Sequence, residues 1–343
     1  MLEFVIYTTL YGVYITLGEI GFAELVGKNK SCSSIGGAKM VFRAFARRVY
    51  KFMNIILRKF GFILQRSNNN YIDFITDCSY LPYDVEYKSS SENITKMLLH
   101  IVNIWESYGQ DETYWSVLTA DSFLKENINK DIIENFYDTG KSTMRYIENT
   151  LKRCDEWEKL SRQNCMEYGC GVGRVTVQLA KVFKNVTGLD ISHGHLKLAE
   201  KRINNLCITN INFQRVQNLD ELGQLPKYDF IFSVIVLQHN PPPVIAVIIE
   251  TFFKLLKVSG SVMFQIPVQI KDYSFSISDY LKDMQKYDTM EMHMLPQDKI
   301  LAIARKNDCS LLECHNDGWV GSPNSMISQT FVFKRVDKKY TGS

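Results

Sequence analysis

The chain has 343 residues, of which 45% are hydrophobic, and its formal net charge is +3. This length and apolar content suffice for one or two domains with a sizeable core, and the near balance of charge does not by itself imply a nucleic-acid partner. The eight cysteines form no CxxC pair and no zinc-ligand spacing, so we expect reduced thiols in a cytoplasmic protein and no metal site.

Residues 1–39 contain one apolar stretch and one segment typical of a linker. The stretch 4–18, FVIYTTLYGVYITLG, is shorter than the roughly 20 apolar residues of a membrane span, and Glu3 stands where a signal peptide would be basic. Residues 28–39, KNKSCSSIGGAK, are typical of a linker. We hypothesise that 1–39 are an extension ahead of a natural start at Met40, which a native N-terminus at Met1 would exclude.

Residues 40–92 are predicted to form a basic amphipathic helix and a polar loop. Between Lys39 and Arg66 there are eight basic residues and no acidic one, and apolar residues recur at helical spacing from 42 to 60. Such a helix is typical of one lying on an anionic membrane surface, which would place the protein peripherally at the inner membrane. The alternative is a helix packed on its own domain with a solvated basic side.

Residues 93–160 are predicted to be a helical cap, with helices over 94–109, 113–127 and about 142–160. From 161 onward the pattern alternates between strands and helices, which predicts an α/β fold whose mostly parallel sheet carries helices on both faces. The predicted strands are 165–168, 185–190, 211–216, a strand from 228, 261–268, about 310–315 and 327–336; the predicted helices are 172–184, 193–203, 241–257 and about 296–307.

A glycine-rich turn follows the first of these strands, in the sequence EYGCGVGR. Gly169, Gly171 and Gly173 let the chain turn sharply and let a ligand approach the backbone. Asp190 ends the next strand, where a carboxylate can accept both hydroxyl hydrogens of a ribose.

Two cofactors suit a glycine turn followed by an acidic residue. A nicotinamide dinucleotide requires the motif G-x-G-x-x-G, whose third glycine would fall at position 174. That position holds Arg174, and the glycine comes one residue earlier. Glu167 would also repel a pyrophosphate, whereas it suits the positively charged end of S-adenosylmethionine.

Residues 164–267 resemble the class I S-adenosylmethionine-dependent methyltransferases in three motifs: EYGCGVGR, VTGLDIS and YDFIFSVIVLQH. The resemblance implies a Rossmann-like, seven-stranded sheet with an antiparallel last strand, in a domain spanning 161–343. It also implies that Glu167 and the three glycines surround the methionine end of the cofactor and that Asp190 holds its ribose.

Other cofactor-binding residues are predicted beside these motifs. Gln217 and Asn218 follow the third strand, where many family members carry an aspartate that contacts adenine. The remaining predicted contacts are Ile191 after the ribose-binding acid, Ser233 at the end of the fourth strand, and Tyr137 in the preceding helical region.

The segment LQHNPPP, residues 237–243, raises the question of an amino-methyltransferase signature. That signature needs an asparagine directly at the strand end and an aromatic residue where Pro243 stands. We interpret Asn240 instead as a helix N-cap and Pro241 as the first helical residue.

Two histidines are candidates for the base that an oxygen acceptor would require. His239 follows the fourth strand, and His293 lies in the long insertion after the fifth strand, which is where caps over substrate sites commonly arise. The alternative for both is a structural role in packing and hydrogen bonding.

The sequence therefore predicts methyl transfer from S-adenosylmethionine to a small molecule or glycan, the latter because the wider pattern resembles bacterial methyltransferases associated with surface glycans. A nucleic-acid or protein methyltransferase is the alternative, although the dense basic run at 39–66 is remote in sequence from the glycine turn. A non-catalytic scaffold at the membrane is a third hypothesis, against which the intact glycine turn argues.

Overall fold

The computed structural model describes residues 4–8, 15–17, 62–66, 84–320 and 325–337. The chain divides into two compact units, Met1–Ile75 and Thr76–Ser343. In the first unit, three short strands form an antiparallel sheet in the order β2-β1-β3: β1 (Phe4–Thr8), β2 (Ile15–Leu17) and β3 (Phe62–Arg66). Residues 62–66 were expected to belong to the basic helical region, and the strand corrects that expectation; residues 40–61 lie outside the described residues.

The second unit contains seven strands: β4 (Asn164–Tyr168), β5 (Asn185–Asp190), β6 (Ile211–Arg215), β7 (Tyr228–Ser233), β8 (Leu256–Ile270), β9 (Cys309–Asp317) and β10 (Met326–Arg335). They form one sheet in the order β6-β5-β4-β7-β8-β10-β9, in which β10 runs antiparallel to both of its neighbours. The predicted seven-stranded sheet with an antiparallel last strand is confirmed.

Nine α-helices of the described chain accompany this sheet: α1 (Ser91–Asp111), α2 (Lys130–Arg153), α3 (Trp157–Leu160), α4 (Thr176–Leu179), α5 (His193–Asn205), α6 (Leu219–Gly223), α7 (Pro242–Leu255), α8 (Ile277–Asp283) and α9 (Gln297–Lys306). None of the described helices is long and apolar enough to cross a bilayer.

Helices cover both faces of the sheet, as its central strands require, since nearly every residue of β4 and β7 is buried. Met97 and Leu98 of α1 pack into the same hydrophobic cluster as α7 on one face. Ile147 and Leu151 of α2 pack with Phe230 in the cluster on the other face. The predicted helical region 93–160 therefore contributes to both layers of the second unit.

Several predicted element boundaries are wrong, each for a local reason. Residues 172–184 were expected to be one helix, but regular α-helix is confined to α4, because the turn that carries the glycines continues through residue 175. Residues 113–127 form turns and two short 3-10 helices, and α2 begins at Lys130, where Asn129 caps it.

The start of α7 also differs from the prediction by one residue. Pro241 is the N-cap and the helix begins at Pro242, whose missing N–H needs no partner at this position. The side chain of Asn240 does not cap the helix but donates a hydrogen bond to the carbonyl of Val236 at 3.0 Å. The interpretation of NPPP as a helix start holds, while the capping role given to Asn240 is wrong.

Helices α1 and α5 cross at two glycines, which fixes α1 over the ends of the strands. A Cβ atom at Gly194 would overlap the carbonyl oxygen of Gly109, because the two atoms would lie well within their van der Waals contact distance. Beside this crossing, the backbone N–H of His193 donates to the carboxylate of Glu106 at 2.9 Å. The close approach therefore depends on the absence of a side chain.

We predict that Gly194→Ala destabilises the protein, because the added methyl group forces α1 and α5 apart and overpacking typically costs about 1–3 kcal/mol. A melting temperature lowered by several degrees in a thermal unfolding experiment checks this. Gly223→Ala is the matched control, since no atom lies within 4 Å of its added Cβ, and it should leave the melting temperature near that of the wild type. Equal melting temperatures for the two variants would contradict the proposed crossing.

Candidate active site

A cavity opens at the carboxyl ends of β4, β5 and β7, and we call it the strand-end cavity. From β4 the chain continues to β5 and β6 on one side and later to β7 and β8 on the other, so the cavity lies at the topological switch point, where ligands bind in such sheets. Its volume is about 840 Å³ including its open mouth. It is lined by Ile101, Trp105, Ser116, Val117, Glu167–Gly171, Arg174, Val175, Leu189–Ile191, His195, Val216, Val234–Val236 and Asn240.

Two glycines form the floor of the strand-end cavity. Gly169 and Gly171 have φ angles of +72° and +53°, which side chains rarely adopt. A Cβ on Gly169 would collide with Val236, and one on Gly171 would lie 2.9 Å from Val117. Gly173, with a φ angle of +80°, does not line the cavity, although it was predicted to surround the methionine end of the cofactor; a Cβ there would lie 3.3 Å from Phe213, so this glycine lets the turn pack against β6.

Asp190 is held at the end of β5 by two backbone groups. One carboxylate oxygen accepts a hydrogen bond from the N–H of Gly171 at 2.8 Å, and the other accepts from the N–H of Ser192 at 2.9 Å. Each oxygen keeps a further lone pair, and the residue lines the cavity. The carboxylate can therefore accept hydrogen bonds from a ligand without losing its anchors.

Glu167 and Arg174 are a buried acidic and a buried basic residue that both line the cavity. The hydroxyl of Thr176 donates to the Glu167 carboxylate at 2.6 Å. Burial raises the pKa of Glu167 to about 8, and the charge on Asp190 adds to this, while the hydrogen bond from Thr176 and the charge on Arg174 oppose it. A ligand with a positive charge beside Glu167 would therefore stabilise the ionised carboxylate.

The roof of the cavity consists of residues from α1 and from the segment after it. None of these residues was among the predicted site residues. Ile101 and Trp105 follow one another at helical spacing on the buried side of α1, and Ser116 and Val117 lie beyond its end. The Trp105 ring centroid lies 5.2 Å from that of His239 and 6.4 Å from that of His195. The spacing of the apolar residues in α1 identifies the buried face of this helix. The spacing does not indicate that part of the buried face borders a cavity.

Three predicted cofactor contacts lie away from the strand-end cavity. Gln217 is exposed, and the side chain of Asn218 caps α6 by accepting from the N–H of Glu221 at 2.8 Å. Val216 lines the cavity in their place. The hydroxyl of Ser233 donates to the carbonyl of Tyr168 at 3.0 Å, so it supports the end of β4 from outside the cavity.

Tyr137 is also outside the cavity, on the far side of the glycine turn. Its hydroxyl donates to the carbonyl of Val172 at 3.1 Å, and the guanidinium of Arg202 lies 4.1 Å from its ring centroid. Among the remaining predicted contacts, Glu167, Gly169, Gly171, Asp190 and Ile191 line the cavity.

The two candidate bases lie behind the cavity wall in one buried network. His239 Nδ1 donates to the carbonyl of Glu291 at 2.8 Å, and burial lowers the pKa of His239 to about 4, so the ring is neutral at physiological pH. His293 Nε2 lies 2.8 Å from the Glu291 carboxylate, and its Nδ1 lies 2.7 Å from the hydroxyl of Tyr273. The network connects the loop after β7 with the insertion after β8.

The loop after β7 is fixed in a strained conformation above the glycine turn. Ile235 has a φ angle of +58°, which a β-branched residue rarely adopts, and its N–H donates to the side chain of Gln265 at 2.8 Å. Gln265 also donates to the Gln238 side chain at 3.0 Å and to the hydroxyl of Ser328 at 2.6 Å. Gln265 thus joins this loop to β8 and β10.

Comparison with known proteins agrees with this geometry over the central part of the chain. Residues 165–260 match the family described as a methyltransferase domain. The ubiquinone biosynthesis O-methyltransferase of Hydrogenovibrio crunogenus is 30% identical over 111 residues, which are 32% of this chain and 44% of that protein. The tRNA/tmRNA (uracil-C(5))-methyltransferase of Campylobacter lari is 30% identical over 116 residues, which are 32% of this chain and 33% of the relative. The chain thus spans less than half the length of these two curated relatives.

Among solved structures, the chain is similar to magnesium protoporphyrin IX methyltransferase from Synechocystis PCC 6803 with bound SAH. The two are 19% identical with a TM-score of 0.46, and the match covers 68% of this chain and 98% of that one. Residues 165–260 of this chain thus match the methyltransferase-domain family, and about a third of the chain is similar to curated methyltransferases.

Proposed function

We propose that the protein transfers the methyl group of S-adenosylmethionine to a small molecule or glycan, at an oxygen atom. The observation that carries this proposal is the strand-end cavity, in which the bare backbone of Gly169 and Gly171 lies beside an anchored carboxylate on Asp190. Asp190 would hold the ribose, and Ile191 and Val216 offer apolar surface to adenine. Glu167 would face the ammonium and sulfonium charges of the cofactor.

The lining of the cavity favours a small acceptor over a nucleic acid. It holds two acids, Glu167 and Asp190, against Arg174 and the imidazole of His195, whereas a polynucleotide-binding surface requires a surplus of positive charge. Apolar side chains such as Trp105 and Val117 make up most of the remaining lining, as is usual for small-molecule sites. The uracil-C(5)-methyltransferase among the relatives makes nucleic acid the alternative to be tested.

The bound cofactor supplies a methyl carbon that its sulfonium has already activated. The protein must therefore position the acceptor oxygen in line with that carbon, exclude water and remove the hydroxyl proton. We assign proton removal to His293, whose ring is oriented by the Glu291 carboxylate at Nε2 and whose Nδ1 would exchange its contact with the Tyr273 hydroxyl for the acceptor hydroxyl. His239, whose pKa burial lowers to about 4, would position the loop after β7.

We predict that the wild type binds S-adenosylhomocysteine and that Asp190→Ala weakens this binding by about 100-fold or more, because each hydrogen bond to a charged acceptor contributes about 1.5–3 kcal/mol. Isothermal titration calorimetry measures the effect. Asp220→Ala removes an exposed carboxylate from α6 and should bind like the wild type. Failure of the wild type itself to bind S-adenosylhomocysteine would refute the proposed function.

The raised pKa of Glu167 predicts a pH-dependent loss of stability in the ligand-free protein. The folded state retains the proton up to about pH 8, whereas the unfolded state releases it near the ordinary value of 4.5, so stability falls as the pH rises between these values. Glu167→Gln has no ionisable group at this position. Its free energy of unfolding, measured in urea, should therefore rise relative to that of the wild type from pH 5 to pH 8. Parallel pH profiles for the two proteins would show that Glu167 is not held protonated by its burial.

For the acceptor, we predict that small phenols, catechols or saccharides stimulate the formation of S-adenosylhomocysteine, and that single-stranded RNA does not. With an active acceptor, His293→Ala should lower kcat by about 100-fold, the usual contribution of a general base, while the affinity for S-adenosylhomocysteine stays the same. His193→Ala, at an exposed position of α5, is the control. Stimulation by RNA alone would overturn the acceptor class, and an unchanged kcat in His293→Ala would overturn the assigned base.

A further inference from the structure

His195 is a buried histidine on the wall of the strand-end cavity, with one ring nitrogen that has no hydrogen-bond partner in the described part of the chain. Its side chain is only 1% exposed. It is not enclosed entirely by hydrophobic side chains, however, because it lines the cavity beside Asp190. The unpartnered atom is Nδ1. Leaving a buried polar atom unpaired is unfavourable, so the position calls for a ligand.

The neighbours of His195 indicate which of its nitrogens carries the proton. Nε2 lies 3.0 Å from the hydroxyl of Ser116. That hydroxyl donates its single hydrogen to the carbonyl of Thr113 at 3.3 Å. With that hydrogen on Thr113, Ser116 accepts from Nε2–H, and the tautomer with its proton on Nε2 leaves Nδ1 as a hydrogen-bond acceptor.

Two acceptors therefore lie side by side at this point of the cavity. Nδ1 of His195 is 3.7 Å from an oxygen of the Asp190 carboxylate, too far for a hydrogen bond and close enough to address adjacent atoms of one ligand. A vicinal diol, which presents two O–H donors on neighbouring carbons, satisfies both acceptors at once. The ribose of S-adenosylmethionine carries such a diol.

We propose that His195 is a further cofactor-binding residue, which accepts a hydrogen bond from one ribose hydroxyl while Asp190 accepts from the other. This inference rests on the proposed use of S-adenosylmethionine. Through its bond to Ser116, His195 also connects the ribose to the segment that roofs the cavity, next to Val117 above Gly171.

A comparison of hydroxyl-deleted ligands across two variants tests the proposal. Calorimetry gives the affinities of S-adenosylhomocysteine and its 2′-deoxy and 3′-deoxy analogues for the wild type, His195→Gln and His195→Asn. A glutamine amide reaches the position of Nε2 and keeps the contact with Ser116, whereas an asparagine amide reaches that of Nδ1. We expect one deoxy analogue to bind the wild type and His195→Asn about 10-fold more weakly than the parent compound, but His195→Gln less than about 3-fold more weakly.

The outcomes separate this inference from the proposed function. If the wild type binds S-adenosylhomocysteine but each deletion weakens binding equally in the wild type and His195→Gln, then His195 does not contact the ribose. The same conclusion follows if both variants weaken all three ligands by one common factor, since that result indicates a structural or purely electrostatic role beside Asp190. If the wild type binds none of the ligands, the proposed function itself fails. Thermal unfolding without ligand establishes that the variants are folded.

Discussion

The hydrogen bond from the N–H of Gly171 to the carboxylate of Asp190 is the contact on which the site depends. It joins the turn after β4 to the end of β5, so that neither can move without the other. Because both strands are paired on both sides within the seven-stranded sheet, the surrounding core holds the contact in place. The roof from α1 and the loop after β7 are then placed against this fixed point, and Val117 and Val236 fill the space that the glycines leave.

This arrangement explains which parts of the molecule could be predicted from the sequence. The sheet and the positions of Gly169, Gly171 and Asp190 are encoded locally, by alternation of strands and helices and by a turn that only glycine forms without strain. The roof is different, since nothing in the apolar period of α1 reveals that Trp105 faces a cavity. That placement depends on the crossing of α1 and α5 at Gly109 and Gly194, two positions far apart in sequence.

Two asparagines show how local partners compete for one polar side chain. The side-chain oxygen of Asn218 caps α6, and Asn240, which was predicted to cap α7, donates to Val236 instead. Asparagine has donors and an acceptor in one short side chain, so several local partners are satisfactory and the sequence does not rank them. His195 was overlooked for the opposite reason, because its nearest partners, Ser116 and Asp190, come from different elements of the chain.

The network around Gln265 and Glu291 involves other parts of the chain than the residues proposed to hold the cofactor. The residues proposed to hold the cofactor lie mainly between 167 and 195, whereas the insertion after β8 is connected to the loop after β7 through the contacts of Glu291 and His293. The N–H of His293, for example, donates to the carbonyl of Gln238 at 2.7 Å. In an evolving lineage, substitutions in this insertion would therefore change acceptor preference while cofactor binding is retained. Apart from Tyr273, Glu291 and His293, residues 271–296 are thus the place where related chains should diverge most freely.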